Sequence, residues 1–387
     1  MPKQRLVLKV GTNVLLRPNG RLDYNLISEL AETISTIRAQ NHEVILVSSG
    51  SVGAGRELIR PSKKTSNPLH ESQILAAVGQ VRLMQIYGDF FREYQIPVAQ
   101  VLLTRQDFGG RSSYLNIRNT LEGLLQAGAL PIVNENDVVA VEELKVYQFG
   151  ENDQLAVYTA AVSGADRLFF LTTAPGLMRE EPTPTGPKRV VVPEVREVSR
   201  EVMTWCQPTK THVGKGGMES KVRCAAMAME FGIEAHILDG KAPQGVLEVL
   251  EGQRCGTRFV AHGRKVNSYQ KWLAAGALNQ GTLWIDAGAE RALQEHKSSL
   301  LAKGILRVSG SFDVKDLVEI IGPSSGKLGV GRVAFTAREL RQQLEEFQAR
   351  PESRSHPTLT RPVVHRNHLY LSGTPAPHPA AEPAEAP

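Results

Sequence analysis

The sequence predicts an α/β protein: an open, mainly parallel sheet sandwiched by helices, followed by a small β-rich module. Two observations carry this expectation. Over residues 1–262, short apolar runs alternate with segments of helical periodicity, the pattern of strands joined by helical crossovers. Beyond Arg264 the strand candidates become short and broken, separated by glycines and charged turns. The expected division is a large domain over 1–262, a linker over 263–279, the small β-rich domain over 280–358 and a C-terminal segment over 359–372. Residues 373–387 (GTPAPHPAAEPAEAP) are biased to Pro, Ala and Glu, cannot supply a core, and are expected to be disordered.

The elements follow in order. Leu6–Val10 is a compact strand candidate, and Ile27, Leu30, Ile34 and Ile37 keep helical spacing behind Asp23, a suitable N-cap. Val44–Val47 (VILV) is an apolar run of strand length, suited to a strand covered on both faces. A long helical pattern over Ile74–Tyr94 leads to the strand candidate Val98–Leu103. Leu115–Leu125 reads as a helix stopped by Gly128, and Leu130–Val133 as the next strand. Asp153–Ser163 is helical, Leu168–Leu171 a strand, Met218–Phe231 a helix closed by Gly232, and Ala235–Leu238 a strand. In the small module the strand candidates are Thr282–Ile285, Ile305–Val308, Leu317–Ile321 and Gly331–Phe335, with one or two short helices. The polar stretch Gln342–Arg350 is expected to be a helix end or linker.

Composition excludes several classes of function. The chain has 387 residues, 41% of them hydrophobic, enough to bury the cores of two domains. A net charge of +5 is a mild basic bias, compatible with anionic ligands but insufficient alone to indicate nucleic acid. Cys206, Cys224 and Cys255 are widely spaced and include no CxxC pair, so neither a disulfide framework nor a zinc site is expected. The N-terminal MPKQRLVLKVG carries no signal-peptide core, and no apolar run reaches the roughly 18 residues of a membrane span. A soluble, cytoplasmic protein is the expectation.

Four loops beside strands carry residue types that hold anions or zwitterions. Lys9 stands at a strand end with Gly11 close behind, where an ammonium can approach a phosphate. Ser48–Gly55 (SSGSVGAG) offers backbone N–H groups ahead of a helix start, although its spacing matches neither the dinucleotide fingerprint nor a Walker A loop. Asn134-Glu135-Asn136-Asp137 and Gly150-Glu151-Asn152-Asp153 mix amides with carboxylates, which suits an amino acid: carboxylates for its ammonium, amides for its carboxylate. Gly216-Gly217 opens a helix that places Lys221 near its positive end. A lysine set against the helix dipole is better explained by a bound phosphate than by a solvated surface.

Taken together, KVGTNVL (Lys9–Leu15), VSSGSVGAG (Val47–Gly55), ILAAVGQ (Ile74–Gln80), VNEND (Val133–Asp137) and GKGGMESK (Gly214–Lys221) resemble the glutamate 5-kinases of the amino acid kinase superfamily. GTRF (Gly256–Phe259), QKWLAAGAL (Gln270–Leu278) and LLAKGILRVSGSF (Leu300–Phe312) extend the resemblance, the later segments into that family's C-terminal PUA module. The resemblance implies the amino acid kinase fold and ATP-dependent phosphorylation of the L-glutamate side-chain carboxylate, the first step of proline biosynthesis. It gives catalytic roles to Lys9, Lys221 and Asp153, and substrate binding to Ser49, Gly50, Asn134, Asp137 and Asn152. It assigns nucleotide binding to Lys9, Gly11, Thr172, Thr173, Lys215, Gly216, Gly217, Met218, Glu219, Ser220 and Lys221. Mg2+ is expected with ATP, held by phosphate oxygens and water rather than by a protein cage.

The resemblance further implies a homo-oligomer inhibited by proline. Thr173 stands where that family usually has aspartate, and Lys215 where threonine is usual, so both departures fall on the nucleotide side. A related kinase with another acidic acceptor is an alternative, as is an RNA-binding protein acting through the PUA-like module. Against the second, Trp284, Phe312, Lys315, Lys327 and Arg332 are scattered along the sequence rather than clustered.

Overall fold

The structure is a computed structural model that describes residues 2–60, 67–139, 151–184, 186–206, 217–261, 281–296, 298–350, 352 and 361–371. The chain divides into two compact units, one of residues 1–104 and 115–266, the other of residues 105–114 and 267–387.

The first unit is built on β1 (Arg5–Val10), which is flanked by α1 (Thr12–Leu15) and α2 (Tyr24–Ala39). Then come β2 (Glu43–Val47), α3 (Ser51–Leu58), α4 (Pro68–Arg92), β3 (Val98–Leu103), α5 (Arg111–Gln126) and β4 (Leu130–Glu135). After α6 (Glu151–Ser163) and β5 (Arg167–Thr172) the chain makes a hairpin of β6 (Met178–Thr183) and β7 (Gly186–Val191), then β8 (Glu194–Val195) and α7 (Arg200–Thr204). The unit continues through α8 (Met218–Glu230), β9 (Glu234–Asp239), α9 (Gly245–Leu250) and β10 (Thr257–Phe259). The sheet order is β3-β4-β2-β1-β5-β9-β10-β8, and its pairings are parallel apart from the antiparallel β9–β10. The chain runs leftward from β1 to β2 and later rightward to β5. The C-terminal end of β1 is therefore the switch point at which open sheets of this kind form a crevice.

Alternation along β1 decides which side chains meet which layer. Leu6, Leu8 and Val10 join one core with Ile27, Leu30 and Ile34 of α2, Leu83 and Tyr87 of α4 and Val246 of α9. Val7 and Lys9 point the other way, to the face on which α6 packs. From Leu155 to Ser163 helix α6 is buried on every side. Such a helix can lie only between a sheet and a further layer.

Several boundaries differ from the sequence reading, each for a local reason. Helix α4 begins at Pro68, before the expected Ile74, because the Asn67 side chain accepts from Leu69 N–H and proline takes the first helical position. Asp23 does stand at the N-cap of α2, but its carboxylate makes no cap bond and lies 3.3 Å from Arg17 Nε. The β6–β7 hairpin escaped notice because its residues are largely polar and exposed, which leaves no apolar run.

The second unit holds β11 (Gly281–Ile285), α10 (Ala287–His296), β12 (Ile305–Gly310), β13 (Leu317–Gly322), β14 (Gly326–Val333), α11 (Ala337–Ala349) and β15 (Val364–Leu371). Its sheet runs β12-β11-β13-β14-β15 over a core that includes Leu283, Val318, Ile320, Leu340 and Phe347. The last strand candidate was set too late, since β14 begins at Gly326 and ends at Val333. Gln342–Arg350 lies almost wholly within α11, whose start is fixed by a capping box of Thr336 and Glu339 and whose Phe347 is buried. Residues 359–372, set apart in the sequence reading, include β15, an edge strand of the same sheet. The expected linker 263–279 and tail 373–387 lie outside the described residues.

Candidate active site

The C-terminal ends of β1, β2 and β4 and the N-terminus of α6 bring two polar networks side by side. The first is ionic. Asp153, in the first turn of α6 and only 1% exposed, places Oδ1 at 2.7 Å from Lys9 Nζ and Oδ2 at 3.2 Å from Lys221 Nζ. Ser220 Oγ donates to the same Oδ2 at 3.1 Å. Lys9 comes from the central strand and Lys221 from the first turns of α8, so one carboxylate ties the middle of the sheet to a flanking helix.

Among the described residues, two buried cations share one carboxylate, an excess of positive charge. Burial alone pushes the Asp153 carboxyl up, yet the Lys9 and Lys221 ammonium groups outweigh it and hold that carboxyl below its ordinary value. Burial first, and then repulsion from Lys221, pull the Lys9 ammonium below the ordinary lysine value despite its contact with Asp153. Such a cluster is an anion receptor whose balance improves when a phosphate arrives. Lys221 faces Asp153 from the N-terminal turns of α8, so part of its departure from the dipole preference is answered within the protein itself.

The second network is made of amides. Asn152 Nδ2 donates to Ser49 Oγ at 2.9 Å, and lies 3.3 Å from both the Ser48 carbonyl and Asn134 Oδ1. Asn134 Nδ2 donates to Gln80 Oε1 at 2.8 Å, and Ser51 Oγ donates to Asp137 Oδ2 at 3.1 Å. Ser48 Oγ bonds the buried Tyr87 hydroxyl at 2.8 Å. Asn152 and Asp153 are consecutive in α6, so adjacent residues of one helical turn serve the two networks.

Not every expected residue joins them. Gly11 adjoins the ionic cluster, where a Cβ would stand 3.6 Å from Lys9 Nζ. Gly50 takes a left-handed φ of 99° as the N-cap of α3. Gly217 is the N-cap of α8 and Met218 its first residue, while Glu219 is exposed and paired with Arg223 at 2.7 Å. Thr172 ends β5, and Thr173 follows it in an exposed turn. Lys215 and Gly216 lie outside the described residues. The loop Ser48–Gly55 is less of an anion cradle than its composition suggested. A Cβ on Gly55 would stand 2.0 Å from the Leu75 carbonyl oxygen, and one on Gly53 2.8 Å from Leu16 Cδ2, so both glycines serve close packing. Gln80 and Tyr87 were missed, and Ser51 was read only as part of the Ser48–Gly55 loop. The available signal was two polar residues seven apart on an otherwise apolar face of α4.

Paired lysines on a carboxylate at the switch point of a parallel sheet, beside a row of buried amides, are the arrangement expected of a phosphotransferase of the amino acid kinase type. Residues 4–239 match the amino acid kinase family and residues 281–350 the PUA domain. The chain is 40% identical to a glutamate 5-kinase of Deinococcus radiodurans over 95% of its own length and 99% of the relative's. It is 38% identical to a glutamate 5-kinase of Trichlorobacter lovleyi over 95% of its length and 96% of that protein's. A glutamate 5-kinase of Dehalococcoides mccartyi is 35% identical, with 95% and 98% covered. The chain belongs to the amino acid kinase family, in its glutamate 5-kinase branch.

Proposed function

We propose that the protein transfers the γ-phosphoryl group of ATP to the side-chain carboxylate of L-glutamate, forming L-glutamyl 5-phosphate for proline biosynthesis. The observation that carries this reading is the Lys9–Asp153–Lys221 cluster set one residue along α6 from the Asn152 amide network. The acceptor carboxylate is already ionised at neutral pH, so its oxygen attacks the γ-phosphorus without a general base. The bond from that phosphorus to the bridging oxygen breaks, and ADP leaves with the electron pair. Charge accumulates on the transferred group, and Lys9 and Lys221 neutralise it while Asp153 keeps both in place.

The amides of Asn134 and Asn152, with Ser49, Gly50 and Asp137, receive the amino acid. Gly11, Gly217, Met218 and Ser220 line the phosphate path. A cleft of about 400 Å3 lined by Pro175, Val191, Pro193, Asp239 and Cys255 is of the size that takes a small-molecule ring, and it is assigned to the nucleotide base beside Thr172 and Thr173. Among the described residues no three His, Cys, Asp or Glu side chains converge on a metal position. Mg2+ is assigned to the nucleotide phosphates, where it would shield charge during transfer.

The same reading includes a cytoplasmic location, a homo-oligomer and inhibition by proline. Among the described residues no helix is long and apolar enough to cross a membrane. In the second unit the Arg307 guanidinium lies 3.5 Å from the centre of the Trp284 ring and covers one of its faces. Purified protein with ATP, Mg2+ and a panel of acidic amino acids, with hydroxylamine to trap acyl phosphate, tests the reading. Hydroxamate is expected with L-glutamate. Trapping with aspartate or N-acetylglutamate in its place would move the protein to another acceptor.

A further inference from the structure

The orientation of the amide network is forced by groups that cannot change roles. The Glu135 backbone N–H can only donate, and it lies 2.9 Å from Asn134 Oδ1. Asn134 must therefore present its Nδ2 to Gln80, whose Oε1 accepts at 2.8 Å. The Ser48 carbonyl can only accept, so Asn152 must direct Nδ2 toward it, Ser49 Oγ and Asn134 Oδ1. Every amide in the row is then fixed in one sense, and one end of the row is a single side chain on helix α4. Gln80 is 8% exposed, and it sits one residue after Gly79, where a Cβ would stand 1.8 Å from the Ser51 carbonyl oxygen. The close helix crossing is what brings the α4 backbone near enough for Gln80 to reach Asn134.

Among the described residues, this arrangement leaves two buried atoms of the row without a hydrogen-bond partner, Gln80 Nε2 on α4 and Asn152 Oδ1 on α6. A buried carbonyl oxygen without a donor is costly, and it becomes a favourable contact when a ligand supplies N–H groups. An α-ammonium supplies three such donors, whereas an acylated nitrogen supplies one.

We propose that Gln80 is a positioning residue that anchors Asn134, and through it Asn152, in the sense that the Glu135 N–H and the Ser48 carbonyl set, so that Asn152 Oδ1 is held as an acceptor for the substrate's free α-ammonium. The proposal rests on the reading that Asn134 and Asn152 contact glutamate. With the Gln80 acceptor gone, Asn134 Nδ2 is orphaned in a buried site and Asn134 loses the bond that anchors it to α4, so Asn152 rests on a loosened neighbour.

The test is steady-state kinetics on Gln80→Met, Gln80→Glu, Gln80→Asn and Asn152→Ala, with thermal melts on each. Gln80→Met keeps the volume and removes the acceptor, so KM for glutamate should rise about tenfold, the size of one hydrogen bond's contribution, with KM for ATP within about twofold of the parent. Gln80→Glu keeps an oxygen at the same reach and should recover most of the loss, a rescue that a purely packing role would not produce. If Gln80→Met does not fold, Gln80→Asn decides the matter: it is smaller, withdraws the acceptor by one methylene, and should raise the same KM. An unchanged glutamate KM in the folded Gln80 variants, with Asn152→Ala raising it strongly, overturns the positioning role alone. An unchanged glutamate KM in Asn152→Ala overturns the underlying placement of the acceptor.

Discussion

At the scale of single residues, the site is governed by how little anion it contains. Lys9 is 5% exposed and Asp153 1%, so neither can recruit water to settle its charge, and one carboxylate serves two ammonium groups. Lys9 therefore gives up its proton more readily than an ordinary lysine, whose value is 10.5. On the proposed role, in which the charged form grips phosphate, kcat/KM for ATP should fall on the alkaline side at a pH below 10.5. A profile that stays flat beyond that value would mean Lys9 carries no essential charge. Lys221 makes the complementary case. Its charge counts most as negative charge builds on the moving phosphoryl group, so Lys221→Met should lower kcat by about 100-fold or more while leaving the melting temperature close to the parent's. Near parental turnover would remove Lys221 from the transfer step.

At the scale of elements, the crossing of α3 and α4 is what turns a strand end into a site. Gly79 meets the Ser51 carbonyl oxygen, where a Cβ would stand at 1.8 Å, and Gly55 meets the Leu75 carbonyl oxygen at 2.0 Å. Gly79→Ala should therefore destabilise by about 1–3 kcal/mol, as overpacking does, and raise KM for glutamate more than KM for ATP, since the displaced wall carries Ser49 to Ser51. Gly123 is the contrast: it is exposed in α5 and nothing lies within 4 Å of its would-be Cβ. Gly123→Ala should stabilise by about 0.5–1 kcal/mol without touching kinetics, and thermal melts read both variants. The same elements show what a sequence can display. Continuous apolar runs announced β1, β2, β4, β5 and β9, because a strand buried on both faces leaves no other pattern. The exposed β6–β7 hairpin left none. The glycines at 53 and 55 were read as an anion loop because a glycine required by close packing and one required by a ligand look alike until the neighbouring backbone is known. Lys9, Asn152, Asp153 and Lys221 were picked out by residue type and placement and given their roles by family resemblance, whereas Gln80 and Tyr87 matter only through what they face.

At the scale of the whole molecule, stability and chemistry are concentrated at opposite ends of the first unit's sheet. Glu234, at the start of β9, takes Arg258 Nη2 at 2.5 Å, His236 Nε2 at 2.9 Å and Arg167 Nε at 3.1 Å. Burial pushes its carboxyl up, but the bonds from His236 and Arg258 prevail and bring it from 4.5 to about 2. A depressed carboxylate contributes stability that is present above its unfolded value and lost as the pH falls through its folded one. The melting temperature should thus decline between pH 4.5 and about 2, and Glu234→Gln should melt lower at neutral pH with a shallower decline. A parallel decline in both proteins would place the acid sensitivity elsewhere. The second unit poses the larger question, because every side chain of both networks lies at or before Lys221, while the main part of that unit begins at Asn267. The partners described above for the Lys9–Asp153–Lys221 cluster and the Asn152 network all belong to the first unit. A chain ending at Val266 should therefore keep measurable phosphoryl transfer. Its melting temperature should fall, since residues 105–114 group with the second unit and would lose the body they belong to. Hydroxamate formation and proline inhibition, measured on the truncated and full chains side by side, separate the possibilities. Retained turnover with altered proline sensitivity would make the second unit regulatory. A soluble, folded truncation with no turnover would show that the unit completes the catalytic site, and the assignment of transfer to the first unit alone would fall.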